Sequence, residues 1–356
     1  MEKISVVGEL RGVAARLLDA GKLLAAKPET SLIGDVARAH KDASQSALAL
    51  VQQARALYLF DVLEAKPSEA AACIADLDKK AAVYVTCAKL FLSCCSACPR
   101  KLAAPVCRDV VRATAQLCTR VADRASNATH VGMLEKAVEA VGVLTWRAEV
   151  AAASLLLQSE GLLRDALGEY DEAVDEAAQA PSGGEEEEEK EEEGEVEEEE
   201  GGLLRYAPLA SAVRELLSLA VELTAASRAC LVDPSPGTAA TDELEKAAGM
   251  LVTCAAALSV QADALVCAVA HEGDAGDTAS HAGSFGKFLQ KMLTVVSRRG
   301  GLGDAVAATG KDLDDLIARC LSAAHEAGSG TSAVVTSGPS AVDVMARLLE
   351  KSSLEG

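Results

Sequence analysis

Aromatic side chains are scarce in this chain. Phe, Tyr and Trp make up 3% of its 356 residues, and there is a single tryptophan, Trp146. Half of the residues are nevertheless hydrophobic, so a substantial core must be assembled from Ala, Leu and Val. Such side chains suit closely packed helices, and Ala and Leu stand at the top of the helix-propensity ranking. Proline is sparse too, with nine residues, which leaves room for long uninterrupted helices. Alternating polar and apolar segments bounded by turn residues are missing. The one strand-like piece is "SAVVTS" at 332–337, inside a Gly/Ser-rich stretch, so a sheet-based fold is excluded.

Signals of export and of chemistry are also absent. The amphipathic start "MEKISVVGELRGVAARLLDAGKLL" has no long apolar secretory core, and Glu2, Glu9 and Asp19 speak against a transit peptide. The most apolar long stretch, 250–270, contains Gln261 and Asp263 and many weakly apolar residues. It reads as a buried helix rather than a membrane span. No HExxH, P-loop or dinucleotide fingerprint occurs, and no Ser/His/Asp arrangement is legible. The expectation is a protein that is not an enzyme, with no catalytic, cofactor-binding or metal-binding residues.

What the chain has in excess is acid. Its net charge of -20 argues against direct nucleic-acid binding, which needs a basic patch, and against docking on anionic lipid. An acidic surface suits solubility, or partners that carry basic segments. Thirteen Glu and one Lys fall between Glu185 and Glu200. With like charges repelling and nothing apolar to bury, this low-complexity run reads as a disordered linker. It divides the chain into an N-terminal helical bundle at 1–180, an acidic linker at 181–202 and a C-terminal helical bundle at 203–356.

Both halves read as helix. From Ala72 to Cys95, apolar residues recur at Ile74, Leu77, Ala81, Val85, Ala88, Leu92 and Cys95, a helical period. Pro67 followed by Ser68, an N-cap candidate, and Glu69 marks the start of that helix, and Pro99 its end. The spacing predicts helices at 3–26, 31–65, 68–98, 102–126, 131–179, 204–232, 240–271, 283–298, 303–326 and 339–352. Long helices joined by short loops imply antiparallel up-and-down bundles.

Eleven cysteines are present, seven of them between Cys73 and Cys118. Without a secretion signal these are expected as reduced thiols in cytosol or nucleus. "LFLSCCSACPRK" at 90–101 concentrates Cys94, Cys95 and Cys98, including a CxxC pair. A closed zinc site needs about four ligands. Here there is one CxxC, with His40 well upstream and His130 downstream. A thioredoxin-like pair would need its first cysteine at a helix N-terminus. This pair is expected at a helix C-terminus, where the dipole raises a thiol's pKa. Cys87, Cys94 and Cys98, spaced seven and four apart, share one helical face, as small packing residues do. A redox or metal enzyme built on Cys94, Cys95 and Cys98 is the competing reading.

Other candidates also have plain readings. His271, Glu272, Asp274, Asp277 and His281 are cation-ligand types in a Gly-rich stretch, and read as a polar connector between helices. Arg298 and Arg299 before Gly300, Gly301 and Gly303 could cradle a phosphate, but fit a helix C-cap with cations in its last turn better. Trp146, in "VGVLTWRAEVAAASLLL", is expected in the core.

The order of segments resembles the cyclin-D-binding protein family, also known as Grap and cyclin-D-interacting proteins. The resemblance rests on "KPSEAAACIADLDKKAAVYVTCAKLFLSCCSACPRKLAAPVCRDVVRATAQL" and on "VLTWRAEVAAASLLLQSEGLLRDALGEYDEAVDEA" with the acidic insert directly after it. "LASAVRELLSLAVELTAASRACL" and "LEKAAGMLVTCAAALSVQADALVCAV" then follow in order. It implies an all-helical fold with bundles like those of vinculin and talin, and no catalytic residues. It also implies a regulator of cell-cycle progression or transcription in nucleus and cytoplasm, binding D-type cyclins or helix-loop-helix proteins. Partner capture is expected on the helices flanking the acidic run, 150–179 and 204–232. A cytoskeletal adaptor of the vinculin and talin kind is the alternative, and actin co-sedimentation separates the two.

Overall fold

The computed structural model describes residues 2–26, 34–59, 66–124, 128–179, 203–204, 206–232, 241–298 and 303–329. These residues form ten α-helices and one π-helical turn, with no strand among them. The fold is all-α, as the composition implies. The helices are α1 (Glu2–Ala25), α2 (Val36–Leu59), α3 (Pro67–Cys94), α4 (Ala97–Ala122), α5 (Ala128–Gly142) and α6 (Ala148–Gln179). They are followed by α7 (Ala207–Val232), α8 (Thr241–Cys267), the π-turn Ala268–Glu272, α9 (Ala275–Arg298) and α10 (Gly303–Ser329). The acidic run at 181–202, the glycine turn at 299–302 and the helix expected at 339–352 lie outside the described residues.

Three expectations about these helices are corrected. The segment 131–179 is two helices, because residues 143–147 leave helical geometry. The helix at 67 is entered differently: Lys66 is its N-cap, Pro67 occupies the first position, and no side chain caps it. Proline's fixed φ and missing N–H suit that position, so Ser68 already lies inside the helix. Pro99 does not terminate α3. It is buried in the first turn of α4, where its absent N–H costs no intrahelical bond. Pro105, further along α4, is exposed to solvent.

The chain divides into two compact units. The first is Met1–Ala152 with Thr241–Gly249, and the second is Ala153–Ala240 with Met250–Gly356. In the first, α1 packs on α3 and α4, α2 on α3 and α5, and α4 on α5. Side-chain contacts set the direction of the helices. Arg11, near the middle of α1, pairs with Asp123 at the C-terminal end of α4, while Gly21 near the end of α1 faces Val111 further back along α4, so the two run antiparallel. Leu10, Leu50, Leu77, Phe91 and Leu117 are fully buried between these helices. Tyr84, also fully buried, donates from its hydroxyl to the Cys107 carbonyl at 3.1 Å, which satisfies the one polar atom it carries inward. Thr114 is buried too and returns its hydroxyl to the Val110 carbonyl of its own helix.

In the second unit α7, α9 and α10 pack on one another. The α9–α10 pair is antiparallel and unusually close at two points. A Cβ on Gly286 would fall 2.3 Å from Ile317 Cδ1, and one on Gly328 would fall 2.7 Å from the Ala275 Cβ. Helix α6 joins α7 through the Tyr170 hydroxyl, which donates to the Ala210 carbonyl at 3.0 Å, and through Glu160 and Arg228. Helix Glu243–Ala270 is long and apolar enough to cross a membrane, and 67% of its most apolar window is buried inside the protein.

Candidate functional site

The cysteine-rich stretch is a break between two helices, not the end of one. Helix α3 stops at Cys94, Cys95 and Ser96 adopt extended backbone, and α4 starts at Ala97. Arg100 holds the break together. Its guanidinium donates to the Leu92 carbonyl at 2.9 Å and to the Cys95 carbonyl, filling acceptors that the end of α3 would otherwise leave unmet. Cys98 thus sits in the first turn of α4, on a different helix from Cys87 and Cys94, so the single helical face expected for the three is corrected.

A helix N-terminus lowers a thiol's pKa when the sulfur is solvated. Burial overrides that influence here. It pushes the Cys95 thiol up to about 12, against the opposing charge of Arg100. It also pushes Cys98 up, with Lys101 working the other way. Both side chains are 1% exposed. Cys107 and Cys118, deeper in the same core, are held at about 11 and about 12 by the same loss of hydration. Thiols in this state are weak nucleophiles at neutral pH. Cys94 is half-buried against Gly34, where an added Cβ would lie 2.9 Å from its sulfur. Among the described residues, no group of three or more His, Cys, Asp or Glu side chains is placed to hold a metal ion.

The acidic and histidine-bearing stretch from His271 to His281 is mostly helix rather than a connector. The π-turn ends at Gly273, whose φ of +63° suits glycine. Asp274 then starts α9, its carboxylate accepting the Asp277 backbone N–H at 2.9 Å. His281 points back to α8, 3.2 Å from the Gln261 side-chain oxygen. Trp146 is not in the core. It lies in the α5–α6 break, 40% exposed, with its ring 4.9 Å from that of His40. His40 itself is buried, donating from Nε2 to the Val141 carbonyl at 2.8 Å, and its ring lies 5.2 Å from Phe91. A fold with few aromatics spends Trp146 on closing a helix break.

Shallow surface hollows lie elsewhere in the first unit. Two adjoining hollows run along α4 and share Leu18 as a wall. The first, about 400 Å³, lies between α1 and α4, floored by Leu17 and Val111 and rimmed by Lys22, Arg108, Arg112 and one carboxylate, Asp109. The second, about 360 Å³, opens toward α5, between Ala115, Arg120, His130 and Met133. Leu18 and Met133 are each about half exposed, at 51% and 48%. The exposed side of α4 is basic, with five Lys or Arg against one Asp in the helix. Arg112 pairs with Asp109 at 2.6 Å and Lys22 with Asp19 at 2.8 Å. Arg108 and Arg120 have no carboxylate partner among the described residues. The Nδ1 atom of His130 is buried with no hydrogen-bond partner among them.

The signal for this groove was in the sequence. Arg108, Arg112 and Arg120 are separated by four and eight residues, a single helical stripe. The large negative total charge concealed it. No family model matches the chain, and no curated protein matches it at a significant level.

Proposed function

We propose that the protein is a non-enzymatic helical regulator that captures a helix of a partner protein between its own helices, acting on cell-cycle progression or transcription through a D-type cyclin or a helix-loop-helix protein. The observation that carries the capture step is the groove along α4. It is an apolar floor with two half-exposed apolar side chains, set between rigid helices, and helix-lined grooves are filled by amphipathic helices whose apolar ridge packs into them. Sequestration of a helix-loop-helix partner in this way requires no contact with DNA. The choice of partner comes from the segments that resemble the cyclin-D-binding proteins, as does action in both nucleus and cytoplasm.

Isothermal titration of the purified full-length protein with a D-type cyclin and, separately, with a helix-loop-helix dimerisation region tests the reading. Saturable binding of either partner supports it. Absence of binding to both removes it.

A further inference from the structure

The sign of charge around the groove is opposite to that of the chain. A protein with a net charge of -20 places Lys22, Arg108, Arg112 and Arg120 around one apolar floor. Two of these cations are tied to neighbouring aspartates, while Arg108 and Arg120 are not. They are twelve residues apart on α4, about 18 Å at 1.5 Å per residue, and line one adjoining hollow each, neither with a carboxylate partner among the described residues. Between them lie Leu18 and Met133, and beside Arg120 the unpartnered Nδ1 of His130.

Resting on the reading of the protein as a helix-capturing regulator, we infer that this groove selects an acidic amphipathic helix of a partner protein, about three to four turns long. Its apolar stripe covers Leu17, Leu18 and Met133. Carboxylates on the flanks of that stripe meet Arg108 at one end and Arg120 at the other. Each element of the site excludes a simpler ligand. A nucleic acid or other polyanion would leave Leu18 and Met133 no better covered than they are. An extended peptide would find no strand edge here to pair its backbone. An uncharged apolar helix would place no counter-charge at the two free guanidinium groups. Cations at both ends align the partner's axis with α4, and either direction along α4 satisfies them. The specificity is thus for acidic partners, the reverse of what the overall charge implies.

The test uses the full-length protein and fluorescence anisotropy of a labelled peptide of about four helical turns, with a Leu/Met stripe flanked by Glu. Controls are a scrambled peptide of the same composition, a version with Lys for every Glu, and polyglutamate. The expected result is saturable binding of the first peptide only, weakening as salt is raised. Arg108→Glu and Arg120→Glu should each weaken it about fivefold to tenfold, since a rim pair is worth up to about 1 kcal/mol and reversal adds repulsion. Leu18→Ser, at an exposed position on α1, should weaken it several-fold while leaving every charge in place. Circular dichroism confirms that each variant is folded.

Equal binding of the scrambled peptide or polyglutamate overturns the inference, because charge alone would then be read. Tighter binding of the Lys peptide overturns it, as does indifference to all three substitutions. Replacement of the glutamates at 185–200 by Gly and Ser is a further arm. A gain in affinity of tenfold or more there assigns the groove to the chain's own acidic segment and overturns the partner assignment. Should a cyclin or helix-loop-helix protein bind while the acidic peptide does not, this inference falls and the regulatory reading stands. Peptide binding with neither protein bound leaves the groove assignment and removes the reading.

Discussion

Glu160 on α6 is a carboxylate with almost no water, its side chain 1% exposed, and it is held by two arginines. Arg164 lies one turn on, Nη2 to Oε1 at 2.6 Å, and Arg228 reaches across from α7, Nε to Oε2 at 3.1 Å. The arrangement is asymmetric, because the Arg164 and Arg228 side chains are 59% and 36% exposed. Removing the arginines therefore strands a buried charge, whereas removing the charge leaves two guanidinium groups that can turn to solvent. The double variant Arg164→Ala/Arg228→Ala should lose about 3–5 kcal/mol, the cost of an uncompensated buried ion. Glu160→Gln keeps the shape and one acceptor, and should lose about 1–2 kcal/mol. Urea unfolding of the full-length protein, followed by circular dichroism, measures both. If Glu160→Gln costs as much as the double arginine variant, the carboxylate is not the buried partner of the pair and the reasoning is wrong.

The close approach of α9 and α10 predicts that Gly286→Ala destabilises. Overpacking against Ile317 costs about 1–3 kcal/mol, more than the roughly 1 kcal/mol that alanine gains in helix propensity, and Ile317→Val in the same chain should recover part of the loss in thermal unfolding. Thr224 and Ser227 carry buried hydroxyls on α7 with no hydrogen-bond partner among the described residues, so Thr224→Val and Ser227→Ala should each stabilise by about 1 kcal/mol in urea titration. Buried thiols predict alkaline instability. With Cys95 and Cys118 at about 12 and Cys107 and Cys320 at about 11, the folded protein keeps protons that the unfolded chain gives up near 9, so stability is intact below pH 9 and falls as pH rises from there toward 11–12. The slope is about 1.4 kcal/mol per pH unit for each thiol in that window, and a flat stability curve between pH 9 and 11 contradicts it. In native protein at pH 8 a thiol reagent should modify the exposed Cys267 quickly and leave Cys95 and Cys118 untouched until unfolding, as mass spectrometry of the labelled peptides will show.

Fold class was legible because the evidence for it is spread over the whole chain. A core of Ala, Leu and Val at helical spacing admits no sheet. Helix boundaries were less legible where a local signal has two meanings. Pro67 and Pro99 are both tolerated in a first turn, yet Pro99 reads as a stop when the next helix is expected to begin at 102. The break at 143–147 has no glycine or proline inside it, only Gly142 before it, and an apolar run that continues through Trp146 looks like one helix. At that break Trp146 meets His40, two residues more than a hundred positions apart, a contact that local sequence does not reveal. The burial of Cys95 followed from the helical period that begins at Ile74. The placement of Cys94 and Cys98 on two helices did not, since the shared face inferred from their spacing ignores the break that Arg100 spans to the end of α3. The groove was hidden by averaging. Net charge is a property of the whole chain, while binding is decided by the few residues on one helix face.

Hydrogen exchange of the full-length protein, alone and saturated with a bound D-type cyclin or helix-loop-helix partner, tests the account at its centre. Slowed exchange confined to residues 17–25 of α1, 108–120 of α4 and 128–134 of α5 is the predicted result. Protection that leaves these segments unchanged and falls instead on 150–179 and 204–232 would contradict it, and would move the capture site to the helices on either side of the acidic run.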